Sequence, residues 1–245
     1  LEPVKFQGVT VGQSTRQQLL DEWGDPADTV ATDEGVVFAF DIDPFQSVEV
    51  LIGEGEVISA IKITLASPLD PQQLAEQLSL NEIRPVTAYD EADEPLGMAF
   101  PERGVIFMYD AANAGAAAAD DQPTFAVSHV VLQRLDPLAF AMRAESQLHG
   151  PYTQNIKDLK SALRLDPKCA HAQSLLARIY LATGQADLAD SAARAACEID
   201  PENASYQLLR GRTRQLQGAY DDAVLTVRAV LDREELLRAV RPAAL

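Results

Sequence analysis

The dipeptide Asp-Pro closes an apolar segment twice at one interval. It follows Ser161-Ala162-Leu163-Arg164-Leu165 as Asp166-Pro167, and 34 residues later it follows Ala195-Ala196-Cys197-Glu198-Ile199 as Asp200-Pro201. Gly150, Gly184 and Gly218 keep the same interval. Each stands where a helix would stop, a place where glycine alone takes positive φ without strain. A fixed period of this length marks one supersecondary unit used repeatedly, and it constrains the fold more than any other feature. The punctuation gives the unit's content: a helix over about 170–183, a break at Gly184, and a second helix over about 186–199. Ala177 and Gly211 occupy a small-residue position in the first helices, with Tyr180 three residues after Ala177. Ala189 and Ala223 occupy one in the second helices.

These residues and their interval resemble the tetratricopeptide repeat family over residues 137–231, as three repeats of which the middle is clearest. The first departs from the pattern with Arg143 where a small residue is expected and Asn155 where Ala is expected. The third has Glu235 near the place of its closing proline, and it carries Arg210 and Arg214 at positions usually apolar or aromatic. The resemblance implies an all-α repeat domain over residues 137–245, about three repeats plus a C-terminal helix. One hairpin is too small to bury its own apolar face. Leu175, Leu176, Ile179, Leu188 and Ala192 are therefore expected to pack against neighbouring hairpins, and the stack to form a concave groove lined by first helices. The stretch Arg233 to Arg241 continues as helix with Leu236, Leu237 and Val240 on one face, and reads as a cap or as the opening of a further repeat.

By the same resemblance the groove positions are His171, Ser174, Arg178 and Leu181 in the middle repeat, and Ser205, Leu208, Arg212 and Gln215 in the third. The implied function is a non-enzymatic protein–protein interaction scaffold that binds a peptide or protein segment. Arg178 and Arg212 stand one repeat apart, so both guanidinium groups are expected in one groove, where they can grip a carboxylate or an acidic segment through bidentate bonds. The plainer alternative is a solvated face, salt-bridged to Asp187 or Glu202. Arginines in place of the Lys and Asn of the family's carboxylate clamp argue against a ligand of the chaperone C-terminal type.

Residues 1–135 read as an α+β domain built twice, in units of about 8–66 and 70–135. In the first, a helix capped by Ser14 runs through Leu19, Leu20 and Trp23 to Gly24-Asp25-Pro26, and strands follow at Val36 to Phe40, Val48 to Ile52 and Val57 to Leu65, the last two joined by the turn Gly53-Glu54-Gly55-Glu56. In the second, Asp70-Pro71 opens a helix through Leu74, Ala75 and Leu78, with strands at Pro85 to Tyr89, Gly97 to Phe100, Val105 to Tyr109 and Phe125 to Leu135. The last strands correspond, Ile58-Ser59-Ala60-Ile61-Lys62-Ile63 against Val127-Ser128-His129-Val130-Val131-Leu132, and each leads to Leu-Asp-Pro. Between strands, the Ala-rich segment Asp110 to Pro123 is expected to be a hairpin loop. The opening Gly8-Val9-Thr10-Val11-Gly12-Gln13-Ser14 with the ending Trp23-Gly24-Asp25-Pro26 resembles small bacterial lipoproteins of the outer-membrane β-barrel assembly machinery, whose fold the beta-lactamase-inhibitor proteins share in tandem copies. That resemblance implies a sheet surface used for protein contact and an extracytoplasmic setting, periplasmic or envelope-associated. A generic α+β domain is the alternative. Joined to the charge pattern below, it also leaves open an architectural role in an envelope or multidomain assembly, with the acidic half packed on the helical half.

The net charge of −17 lies entirely in the first half. Residues 1–135 carry 23 acidic and 6 basic side chains, and the rest carry 14 of each. Such a field repels nucleic acid and anionic lipid, which removes both as partners of that half, and it suits a basic partner or simple solubility. No apolar stretch approaches the roughly 20 residues of a membrane span. The chain opens at Leu1-Glu2 without an initiator Met or a signal-like segment, and reads as an excised or processed piece. Oligomeric state has no signature.

Catalytic chemistry has no constellation to work with. His129, His149 and His171 share no metal-ligand spacing, and neither a nucleophile elbow nor a phosphate or dinucleotide loop occurs. Asp41 and Asp43 lack the glycine and closing Glu of a calcium loop. The pairs Asp90-Glu91 and Asp120-Asp121 read as solvated charge, so no cofactor or metal is expected. Cys169 and Cys197 lie at the near ends of two antiparallel helices, as a disulfide or as two separately buried thiols.

Overall fold

The computed structural model describes residues 1–89, 94–109, 125–148 and 150–240, with side chains described as far as residue 232. The expected loop over 110–123, the pairs Asp90-Glu91 and Asp120-Asp121, His149, and the side chains of Leu236, Leu237 and Val240 lie outside the described residues. The chain divides into two compact units, Leu1–Asp136 and Pro137–Leu245.

The first unit begins with a small ribbon, β1 (Lys5–Phe6) against β2 (Val9–Thr10), and then α1 (Arg16–Trp23). The cap of α1 is Thr15, not Ser14. Thr15 Oγ1 accepts from the Gln18 amide while Gln18 Oε1 accepts from the Thr15 amide at 2.9 Å, a reciprocal capping box. The Ser14 hydroxyl is engaged elsewhere, accepting from Thr10 N at 3.0 Å. Trp23 ends the helix edge-on to Phe40 and Phe6, and its Nε1 donates to the Gln7 carbonyl at 2.7 Å.

Four strands follow, β3 (Asp28–Thr32), β4 (Gly35–Phe40), β5 (Ser47–Ile52) and β6 (Ile58–Leu69). A second helix, α2 (Pro71–Gln77), is capped by Asp70 and precedes β7 (Val86–Tyr89), β8 (Pro95–Phe100), β9 (Val105–Tyr109) and β10 (Val127–Gln133). The eight strands form one antiparallel sheet in the order β3-β4-β5-β6-β10-β9-β8-β7. The order is symmetric about its centre, where β6 and β10 pair Ile63 with Val130 and Lys62 with Val131. Alternate residues such as Phe38, Val50, Ile61, Phe107 and Val130 form the core on one face. Strand β3 is absent from the sequence reading because all five of its residues are exposed at the sheet edge, so no alternation of apolar and polar residues marks it.

The second unit is six consecutive helices: α3 (Pro137–Ser146), α4 (Thr153–Leu165), α5 (Ala170–Ala182), α6 (Ala186–Ile199), α7 (Ala204–Leu216) and α8 (Tyr220–Val240). Gly150, Gly184 and Gly218, at φ of 63°, 71° and 80°, turn the chain between the helices of each hairpin. Ala177 and Ala189 are fully buried where α5 packs against α6, and Leu175, Leu176, Ile179 and Ala192 join the core. Leu188 does not, being 49% exposed. The buried stripe of α6 runs Ala189, Ala192, Ala193, Ala196, Cys197, and Leu188 sits about 100° around the helix from its first member.

The departures of the first repeat from the small-residue pattern have a structural reason. Arg143 is 2% exposed and forms two charge-assisted bonds to Asp158 on α4, Nη2 to Oδ1 at 2.7 Å and Nε to Oδ2 at 3.1 Å. Its guanidinium also lies over the Phe140 ring. Asn155, equally buried, donates to the carbonyls of Ala144 and Gln147 at 2.7 and 3.0 Å. This hairpin closes on a polar lock in place of a small-residue crossing. In the third repeat Arg214 donates to Thr226 Oγ1 at 2.8 Å, linking α7 to α8. Breaking a buried ion pair leaves an uncompensated charge, so Arg143→Ala should cost about 3–5 kcal/mol. The double replacement Arg143→Met with Asp158→Leu should cost much less, as read from urea unfolding followed by helical circular dichroism.

Candidate functional site

Residues spaced i, i+3, i+7, i+10 lie along one stripe of a helix, and that spacing relates His171, Ser174, Arg178 and Leu181 on α5 and Ser205, Leu208, Arg212 and Gln215 on α7. All eight line two adjoining hollows. The first, about 580 Å³, takes His171, Ser174, Arg178, Ser205, Leu208 and Arg212. The second, about 680 Å³, takes Arg178, Leu181, Arg212 and Gln215. Arg178, Leu209 and Arg212 border both. Ser174 is buried at the first hollow, with its hydroxyl donating to the His171 carbonyl at 2.8 Å, whereas Ser205, Leu208, Arg212 and Gln215 are exposed.

The two arginines differ in their company. Arg178 Nη1 lies 3.4 Å from Glu145 Oε1, and the other oxygen of that carboxylate is 3.0 Å from His171 Nε2. Among the described residues no carboxylate pairs with Arg212. Asp187, offered above as a salt-bridge partner, instead accepts from Gln217 at 3.2 Å.

Several lining residues escaped the sequence reading. Asn203 caps α7, its side chain accepting from the amides of Ser205 and Tyr206, and so fixes the start of the helix beside the first hollow. The Asn three residues after Asp200 was a legible capping signal. Tyr206 borders the same hollow. Burial pushes its hydroxyl above the ordinary tyrosine value, Asp200 adds to the shift, and a side-chain hydrogen bond with Ser174 opposes it. Glu145 lies on α3 one position past Ala144, the residue one repeat before Arg178, so the periodicity did not mark it.

Among the described residues no cluster of His, Cys, Asp or Glu is arranged to hold a metal ion, Asp41 and Asp43 included. No described helix is long and apolar enough to cross a membrane. Cys169 and Cys197 are buried and not joined as a disulfide. Burial pushes the Cys197 thiol up, outweighing the downward pull of Arg210 and Arg214.

Residues 150–213 match the tetratricopeptide repeat family model, and the helical unit is a helical repeat domain of that type, joined to an N-terminal α+β domain. Solved structures with similar chains include MamA, at 22% identity and a TM-score of 0.41 over 45% of this chain and 61% of that one. The second TPR of Spaghetti (RPAP3), bound to the HSP90 peptide SRMEEVD, is 20% identical with a TM-score of 0.38, covering 39% of this chain and 90% of its own. A DUF4309 family protein, YjgB of Bacillus subtilis subsp. subtilis str. 168, is 18% identical with a TM-score of 0.31, over 54% of this chain and 85% of that one. The match thus spans about three fifths of the MamA chain. No curated protein matches the sequence.

Two outcomes follow for the titratable groups. Tyr206 and Cys197 hold their protons more tightly folded than unfolded, so their stabilising contribution is complete below the unfolded values of 10.0 and 9.0 and is lost as pH rises through the folded ones. Tyr206→Phe should therefore remove part of the alkaline fall in the urea midpoint. Iodoacetamide at mildly alkaline pH should label Cys197 at least about tenfold more slowly in native than in urea-unfolded protein, as read by intact mass.

Proposed function

We propose that this protein is a non-enzymatic interaction scaffold whose helical unit holds a peptide or protein segment in the groove between α5 and α7. The observation that carries the reading is the convergence of Arg178 and Arg212, from equivalent turns of successive first helices, on the same pair of adjoining hollows. The family match over residues 150–213 supports it, because stacked hairpins create extended concave surfaces of the kind that repeat proteins use for binding. In this reading His171, Ser174, Arg178, Ser205, Leu208, Arg212 and Gln215 form the binding surface. The exposed Leu208 and the aliphatic edge at Leu181 take apolar side chains, and the guanidinium of Arg212 receives an acidic group in the fork geometry that suits a carboxylate.

For the N-terminal unit we read a tandem of helix-plus-sheet modules of the outer-membrane assembly lipoprotein kind, a reading supported by the symmetric strand order about β6 and β10. Its protein-contact surface and extracytoplasmic setting belong to the same proposal.

The groove is tested by probing a random heptapeptide array with the intact chain and titrating the captured peptides in solution. Binding should saturate and weaken as salt rises. Arg212→Ala should lower affinity by about tenfold, the loss that goes with one charge-assisted hydrogen bond of ~1.5 kcal/mol, and Arg178→Ala by less. Captured peptides indifferent to both substitutions would place the binding surface elsewhere.

A further inference from the structure

The two groove arginines are chemically unequal, because one of them already holds a carboxylate supplied by the chain itself. Glu145 reaches from α3 and uses both oxygens, one 3.4 Å from Arg178 Nη1 and the other 3.0 Å from His171 Nε2. It borders the same hollow as Arg178 and Arg212. Its side chain is 44% exposed, so it stands in the mouth of the site, where an incoming anion would meet it. Arg178, Arg212 and Glu145 are the Arg, Lys, Asp and Glu side chains that line the two hollows among the described residues, which leaves a net charge of a single cation.

We infer that Glu145 sets the charge specificity of these two hollows: it neutralises Arg178, leaves Arg212 as their one cation open to a ligand, with Arg228 lying in a separate hollow toward α8, and so selects, between α5 and α7, a segment with a single acidic group over a run of acidic residues. The inference rests on the groove reading above and deepens it. Specificity is a difference of affinities, and it can be built by repelling the wrong ligand as well as by attracting the right one. A first carboxylate at Arg212 meets an unopposed positive charge. A second, placed toward α5, must displace Glu145 from Arg178 or lie beside it, and like charges brought together oppose binding. The α5 end of the groove then suits a neutral hydrogen-bonding group, with His171 and the Glu145 carboxylate as its partners.

The experiment compares the intact chain with Glu145→Gln, Arg212→Ala and the double variant Glu145→Gln/Arg178→Ala on the same heptapeptide array, acetylated and amidated so that only side chains carry charge. Glu145 is exposed, and circular dichroism checks that the variants keep the fold. Peptides captured by the parent protein should be enriched in one acidic residue, and those captured by Glu145→Gln should shift to two or more. For a captured pair that differs by one Glu for Gln, Glu145→Gln should bind the more acidic member about two- to fivefold tighter than the parent does, the range spanned by an exposed ion pair. The double variant should lose that gain. Equal acidic content for parent and Glu145→Gln, combined with loss of acidic binders in Arg212→Ala, overturns the role of Glu145 while the groove reading stands. Capture that responds to none of these substitutions, or no capture by any variant, overturns both.

Discussion

A hairpin of two short helices has more apolar surface than it can cover by folding on itself, and everything in the second half of this protein answers that shortage. Ala177 and Ala189 let α5 and α6 approach until their apolar side chains meet, and what remains exposed on one hairpin is covered by the next. Stacking of this kind repeats every element of the unit, including the stripe of each first helix left uncovered by its neighbours. Two successive stripes, on α5 and α7, make the candidate groove. The candidate groove is thus a by-product of how the core is built.

The first hairpin shows that the same closure can be reached with different chemistry. Arg143, Asp158 and Asn155 occupy buried positions, and each is tolerable because its charge or its amide is met inside the protein, by the paired carboxylate and by two backbone carbonyls at the α3 end. The price of such a lock is strict geometry, since either ion alone would be worse than an apolar residue. From the same α3 end, two residues past Arg143, Glu145 extends to Arg178 and His171. The segment that closes the first hairpin therefore also places a carboxylate in the groove.

The first unit applies another rule of pairing. Each helix-plus-four-strand module would leave the outer edge of its last strand with unpaired backbone groups, and the two modules remove that exposure by joining β6 to β10. The outer edges fall to β3 and β7. The wholly exposed β3, with Asp28, Thr29 and Thr32 among its five residues, is suited to that position, because it presents a single large apolar side chain, Val30, and no continuous apolar stripe.

Local chemistry was enough to reveal the repeats. Glycines at a fixed interval need positive φ, alanines at a fixed interval need a close neighbour, and both needs are visible in the residues themselves, as was the stripe spacing of His171, Ser174, Arg178, Ser205, Leu208, Arg212 and Gln215. The doubling of the α+β unit was legible from its matching last strands. What required three dimensions were relations between residues far apart in the chain. The cap at Thr15 turned on whether Ser14 was already engaged by Thr10, and β3 turned on a neighbour to pair with. The buried fate of Arg143 depended on Asp158 lying across the hairpin, and the inequality of Arg178 and Arg212 on Glu145 arriving from another repeat. Periodicity shows a residue's place within its own unit, whereas the partner that satisfies a charge comes from packing between units, and only the folded chain brings the two together.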